Sequence, residues 1–255
     1  MITLGSRMLF GVVVVVAVAS LCACEASEPE PRVLPVVVDG EAPRAFVTDL
    51  GHEVTLTSAR VVVENLTMLS GGEAHAHLAP GALFPVWLVG SARAHPGHGE
   101  GGDALGALTG RFVVDLFDDG APLGDAALLP ATYDAHAFDF GRGASDDGLS
   151  VDDALLGASF ALAGSVSTGE GPVSFDATVA LDDDAAMTGG RFALTVDDDT
   201  DATLALRFSP RADDGATILD GVDAATLGSG PLAGEAKNRV TRALQEHVHW
   251  DLVVR

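Results

Sequence analysis

"EVTLTSARVVVENLTML", residues 53–69, is the stretch that decides the fold. In a β-strand alternate side chains share a face. Val54 and Leu56 share one phase, Ala59, Val61 and Val63 share the opposite one, and Leu66 and Met68 revert to the first. A straight strand would turn its apolar set to solvent halfway along. The pattern therefore predicts one long strand with a bulge or bend near Ser58 and another near Glu64. Bulged long strands bend across the two sheets of a sandwich, which sets the expectation for the rest of the chain.

Strand signals outnumber helix signals on both sides of that stretch. "VSFDATVAL" (173–181) places Val173, Phe175, Ala177, Val179 and Leu181 on one face. "RFALTV" (191–196) alternates Phe192, Leu194 and Val196, and "TLALRF" (203–208) alternates Leu204, Leu206 and Phe208. The polar "DDDTDA" between those two reads as the turn of a hairpin. Further strands are expected at "AFVTD" (45–49), "ALFPVWLVG" (82–90), "GRFVVDLF" (110–117), "TYDAHAFDF" (132–140) and "ASFALAGSVS" (158–167). One helix is expected near 231–246, opened by Pro231, because Leu232, Ala236, Val240, Ala243, Leu244 and His247 recur at helical spacing. An alternating terminal strand follows, with Val248, Trp250, Leu252 and Val254 in phase. The architecture predicted is all-β: an antiparallel β-sandwich with one late helix and a closing strand, a single domain over 37–255.

The N-terminus carries an address. One positive charge at Arg7 precedes "MLFGVVVVVAVASL" (8–21), an uncharged run shorter than the roughly 20 apolar residues that span a bilayer comfortably. The run ends in Leu21-Cys22-Ala23-Cys24. Leu at −3, a small residue at −1 and Cys at +1 resemble the lipobox of bacterial lipoproteins. That resemblance implies a signal peptide over 1–23, cleavage before Cys24, lipidation of Cys24 and residence in the cell envelope. Glu25 at +2 favours the outer membrane over inner-membrane retention. An ordinary secretory peptide cut near Ala23 is the plainer alternative. After Cys24, the polar, proline-bearing stretch to residue 36 reads as a flexible tether.

With 14 Lys+Arg against 37 Asp+Glu, the net charge is −23. Such a chain repels phosphate backbones and anionic lipid, so nucleic acid is excluded as a partner and a covalent lipid is the expected link to the membrane. Beyond the lipobox there is no cysteine, hence no disulfide framework, no thiolate metal site and no cysteine nucleophile. The acids cluster in short runs such as "DLFDDGAP", "LDDDAAM" and "RADDG". None has the spacing of a calcium loop, and solvated turns are the expectation.

The histidines carry the functional question. Residues 71–106 hold four of the eight, as His75-Ala76-His77 and His95-Pro96-Gly97-His98. On extended chain the rings of a His-x-His lie on one face, with Cα atoms roughly 6.5–7 Å apart, so two imidazoles can converge on one ion. His-Pro-Gly-His fits a type II turn, which brings its end residues within about 7 Å. His136, expected inward beside Phe138 and Phe140, and the pair His247 and His249 are candidate completions, with a hydrogen-bonded core histidine the competing reading for His136. His52 reads as a turn residue. Imidazole and carboxylate ligands suit Cu or Zn, and no organic cofactor is implied. No nucleophile elbow, zincin helix or phosphate loop occurs, so no reaction is indicated.

The order of "TDLGHEVTLTSARVVVENL" as a long early strand, then His-rich loops, then a late helix is loosely similar to the copper-binding partner proteins of methanobactin systems. That resemblance implies a secreted β-sandwich carrying copper through histidines. The functional expectation is a lipid-anchored, non-enzymatic protein binding Cu or Zn. Its alternative is an acidic structural or interaction lipoprotein that docks an envelope partner, with incidental histidines.

Overall fold

The computed structural model describes residues 29–71, 102–169 and 171–255. The long strand is there, β3 (Glu53–Ser70), and it organises the rest. One of its sides pairs first with β7 (Phe160–Thr168) and then with β6 (Ala131–Phe140). The other takes β2 (Ala45–Val47) and then β4 (Asp103–Asp115). Its register shifts between Leu56 and Ser58 against β7, and between Glu64 and Leu66 against β4. Both irregularities fall where the phase of the apolar residues reverses. Asn65, at the second, adopts φ 52°, left-handed backbone that Asn tolerates better than most residues. The two bulges keep Val54, Leu56, Ala59, Val61, Val63, Leu66 and Met68 all buried. Val62 points the opposite way and is sealed by Leu155 and Ala161 in a small second cluster.

From β3 the pairing continues through β4, β5 (Pro122–Leu128), β1 (Arg32–Asp39), β10 (Leu204–Phe208), β12 (Trp250–Val254), β9 (Ala186–Val196) and β6, which returns to β3. Eight strands thus close a circuit. A side flap extends from β3 through β7 to β8 (Gly171–Val179) and β11 (Ser229–Pro231). The all-β class, the late helix and the closing strand are as the sequence leads one to expect. The pairing is mixed, however: β1–β10, β12–β9 and β11–β8 run parallel.

The expected hairpin between "RFALTV" and "TLALRF" is not formed. β12 lies between them, antiparallel to β10 and parallel to β9. The turn chemistry of Asp197–Thr200 is as read, with Asp197 accepting from Asp199 N and Thr200 Oγ1. Trp250 and Leu252 on β12 are buried between those strands, so a long-range insertion overrides the local turn signal.

β1 begins at Arg32, inside the stretch expected as tether, because Leu34, Val36 and Val38 alternate inward while Pro35 stays exposed on the outer face. The helix α1 spans Gly234–Gln245 and buries Ala236, Val240 and Leu244. It starts later than Pro231 suggests, since Gly230 and Pro231 pair with Ala177 and Thr178 in the flap, and Leu232 N donates to Thr178 O. The core is aromatic at its centre: Trp250 packs edge-on to Phe138 (centroids 4.9 Å apart) and tilted on Phe208 (4.8 Å). The hydroxyl of Tyr133, the chain's single tyrosine, stands 2.8 Å from both Leu129 O and Leu105 O and shares its proton between them.

Candidate functional site

The segment bearing His75, His77, His95 and His98 lies outside the described residues, as do Cys24 and the strand expected at 82–90. Its two points of attachment are described. Ser70 pairs with Asp103 at the end of the β3–β4 ladder, and Gly71 N donates to Asp134 Oδ1 on β6 at 2.8 Å. A side chain on Gly102 would stand 2.3 Å from Ser70 O, so only glycine lets the two chains meet there. The segment thus departs and returns at one point, where β3, β4 and β6 meet.

His136 lies two residues beyond Asp134, opposite Met68 on β3 and Gly190 on β9. Its ring is fully buried, on the core face with Phe138 and Phe140 as expected. The expected hydrogen bond is absent: neither Nδ1 nor Nε2 has a partner. The ring fits because the chain bulges at Gly189 (φ 76°), leaving Gly190 beneath it; a Cβ on Gly190 would come within 2.2 Å of His136 Cε1. Burial pushes its pKa down from 6.5 to about 4; the backbone of Arg191 and Gly190 lies close enough to oppose the shift but does not reach hydrogen-bond geometry with the ring. His136 is therefore a neutral core imidazole that belongs to no group of three or more possible metal ligands among the described residues.

His247 and His249 occupy a 3₁₀ turn between α1 and β12. His247 is exposed and His249 buried. His249 Nδ1 donates to Ser209 O at 2.8 Å, which leaves Nε2 as an unmet acceptor. Burial lowers its pKa, against the opposing pull of the Ser209 backbone and of Glu246, Asp214 and Asp220. His52 sits in the turn after β2, its amide bonded to Thr48 Oγ1. Among the described residues no group of three or more His, Cys, Asp or Glu side chains is placed to hold a metal ion. His136, His247 and His249 do not form a site of their own.

The acidic runs form turns. Asp39, Asp115, Asp153, Asp197, Asp214 and Asp223 each accept from the backbone amide two residues on. That is the Asx turn, in which the carboxylate takes the place of a backbone carbonyl. Others tie loops down. Asp147 holds Arg111, which also reaches Glu64, and Asp153 holds Arg60, so residues 145–157 are strapped over β3 and β4. These guanidinium partners pull the pKa of Asp147 and Asp153 below the usual carboxylate value.

Composition and spacing gave no warning of one further site. Four neighbouring strands set Arg191, Asp251, Arg207 and Asp39 directly opposite one another in register. The result is a ladder of alternating charge across β9, β12, β10 and β1. Arg191 Nε donates to Asp251 at 3.0 Å and Arg207 Nε to Asp39 at 2.9 Å. Asp39 is buried and also receives Arg255 at 3.0 Å. Three of its members, Arg191, Asp251 and Arg207, line an open groove of about 760 Å³ together with Glu41–Pro43, Asp134, Ser209, Arg211 and Asp213. Only pairing partners far apart in sequence reveal it, which is why no local motif announced it.

No protein-family model matches the chain, and neither curated proteins nor solved structures provide a match.

Proposed function

We propose that the protein is a lipid-anchored component of the cell envelope that binds a transition metal, copper or zinc, through the histidines of residues 71–106, and that it catalyses no reaction. The observation that carries this reading is the pairing of His75 with His77 and of His95 with His98 within a single excursion whose two ends are fixed side by side. Pinning the ends lowers the entropic cost of bringing the two pairs together, since loop closure is already met by the β3–β4 ladder. The ligand set is assigned to those four histidines. His136 is enclosed in the core, and neither it nor His249 belongs to a group of three or more possible ligand side chains among the described residues. Four imidazoles without thiolate suit Cu²⁺ and Zn²⁺. The lipobox resemblance at Leu21–Cys24 supports the anchor, and the loose similarity to the copper-binding partners of methanobactin systems supports copper.

The test is a titration. A soluble form beginning at Glu25, stripped with chelator, is titrated with Cu²⁺ and Zn²⁺ at pH 7.5 and at pH 5, with circular dichroism confirming the fold at both. Imidazole ligates only when neutral, and its ordinary pKa is about 6.5, so affinity should collapse at pH 5. The double variant His95→Ala, His98→Ala should lose most binding at pH 7.5. Binding that persists at pH 5, or that survives the double variant, would move the metal to the acidic turns. No binding at either pH would leave an acidic interaction protein as the reading to pursue.

A further inference from the structure

The groove over the charge ladder has an uneven balance of satisfied and unsatisfied groups. Its floor is paired internally: Arg191 is held between Asp251 and Asp213 (3.0 and 2.9 Å), and Arg207 is bound to Asp39. Each of the two guanidiniums makes two hydrogen bonds to carboxylates, so the positive charge there is already compensated. What remains on the walls is unmatched. Arg211 makes no ion pair or hydrogen bond through its side chain among the described residues. Glu41 offers a free carboxylate, and Asp134 has one oxygen left after accepting Gly71 N.

Arg211, like Lys237 and Arg242, has no side-chain hydrogen bond or ion pair among the described residues, and of the three only Arg211 lines the groove. Its backbone is fixed by the bridge to Thr217 and by the Ala212–Ala216 bond, so the guanidinium is presented from a defined turn. A simple anion is a poor occupant, because four carboxylates also line the groove and the whole chain repels negative charge. A simple cation is a poor occupant as well, because three guanidiniums lie along it. The ligand that matches both is one that carries both charges. A guanidinium receives a planar carboxylate through two parallel N–H bonds, and free carboxylates receive an ammonium. The groove is open to solvent and its volume has room for a free amino acid or a short peptide.

We propose that this groove binds a zwitterionic ligand, a short peptide or amino acid, with its carboxylate on Arg211 and its ammonium on Glu41 or Asp134. This site is independent of the histidines and needs no metal.

Triglycine is the probe, titrated calorimetrically into the full chain in the presence of chelator, so that metal binding plays no part. Triglycine amide, which lacks the terminal carboxylate, is the comparison ligand. Triglycine should bind saturably and the amide at least tenfold more weakly. Arg211→Gln should weaken triglycine by a similar factor and leave the chain indifferent to amidation, with an unchanged melting temperature showing that the fold is intact. Absence of saturable binding at millimolar triglycine overturns the proposal. So does equal affinity for the two peptides, or an Arg211→Gln variant that still discriminates between them.

Discussion

Replacing His136 by leucine should make the protein more stable, and should remove much of its sensitivity to mild acid. The neutral imidazole carries one N–H donor and one acceptor nitrogen, and both are buried without a partner. Leaving such a group unmet costs about 1–3 kcal/mol, so an apolar side chain of similar volume should gain stability of that order at pH 7.5. The acid effect has a definite sign. In the unfolded chain the imidazole takes up its proton near pH 6.5, whereas in the folded protein it does so only near 4. Between those values the unfolded state binds more protons, so stability falls as pH falls. At about 1.4 kcal/mol per pH unit, the loss between pH 7.5 and 4.5 comes to about 2–3 kcal/mol from this one residue.

The assay is urea unfolding followed by tryptophan fluorescence, with chelator present, at half-unit steps from pH 7.5 to 4.5. Trp250 reports directly, since it stacks edge-on against Phe138, two residues along from His136 on the same face. The variant should be the more stable at every pH, and its curve should be flatter. Some slope will remain, because His249 shifts in the same direction. The carboxylates held low by arginine, Asp147 and Asp153, start below the ordinary 3.8 and so release their contribution beneath this window. A variant less stable than the parent at pH 7.5, or one with the parent's full pH slope, would refute the reasoning: the ring would then have partners, or would not be neutral.

The fit of that ring gives a second test. Gly190→Ala brings a methyl into the imidazole and should destabilise by about 1–3 kcal/mol, the usual range for overpacking; in a His136→Ala background the penalty should largely vanish, and an additive pair of losses would disprove the contact. The anchor is tested by Cys24→Ser in the precursor, which should fail to incorporate labelled fatty acid and should appear in the soluble fraction. Two or more acyl chains, at about 0.8 kcal/mol per buried CH₂, hold a protein stably to a membrane, and none would remain. A full-length variant that stays membrane-bound would show that the apolar run itself is a retained anchor.

What the sequence made legible was mostly local. The reversals of phase at Ser58 and Glu64 are visible because a period of two leaves no freedom once one face is buried. The inward face of β8 was read correctly at Phe175, Ala177 and Val179, and incorrectly only at Val173, which is half-exposed near the open end of the flap. The order of strands was not legible. "RFALTV" and "TLALRF" carry every mark of a hairpin, and nothing within them reports that Trp250 and Leu252, some fifty residues on, will come between them. β1 was hidden by Pro35, a residue that usually argues against a strand, but which here faces outward. His136 was placed correctly in the core beside Phe138. Its missing hydrogen bonds depend on which backbone lies opposite, and that is Gly190, a partner supplied by β9.

The acidity of the chain bears on the choice between its two functional readings. Thirty-seven acids invite the view that the surface exists to meet a partner. Yet six aspartates accept the amide two residues on, and two of those carboxylates, Asp39 and Asp153, also hold an arginine, while Asp147 accepts Ala144 N and holds Arg111. Asp49 and Asp220 clasp each other's loops, Asp49 accepting from Gly221 N at 2.6 Å and Asp220 from Asp49 N at 3.0 Å. A fold of many short connections without disulfides needs turns fixed by side chains, and aspartate does this at several of them. Part of the negative charge, nine of the thirty-seven acids, thus follows from how the loops are built. An acidic surface explained by turn chemistry is weak support for an acidic docking function. The paired histidines are not explained in that way, and the metal-binding reading draws its relative strength from them.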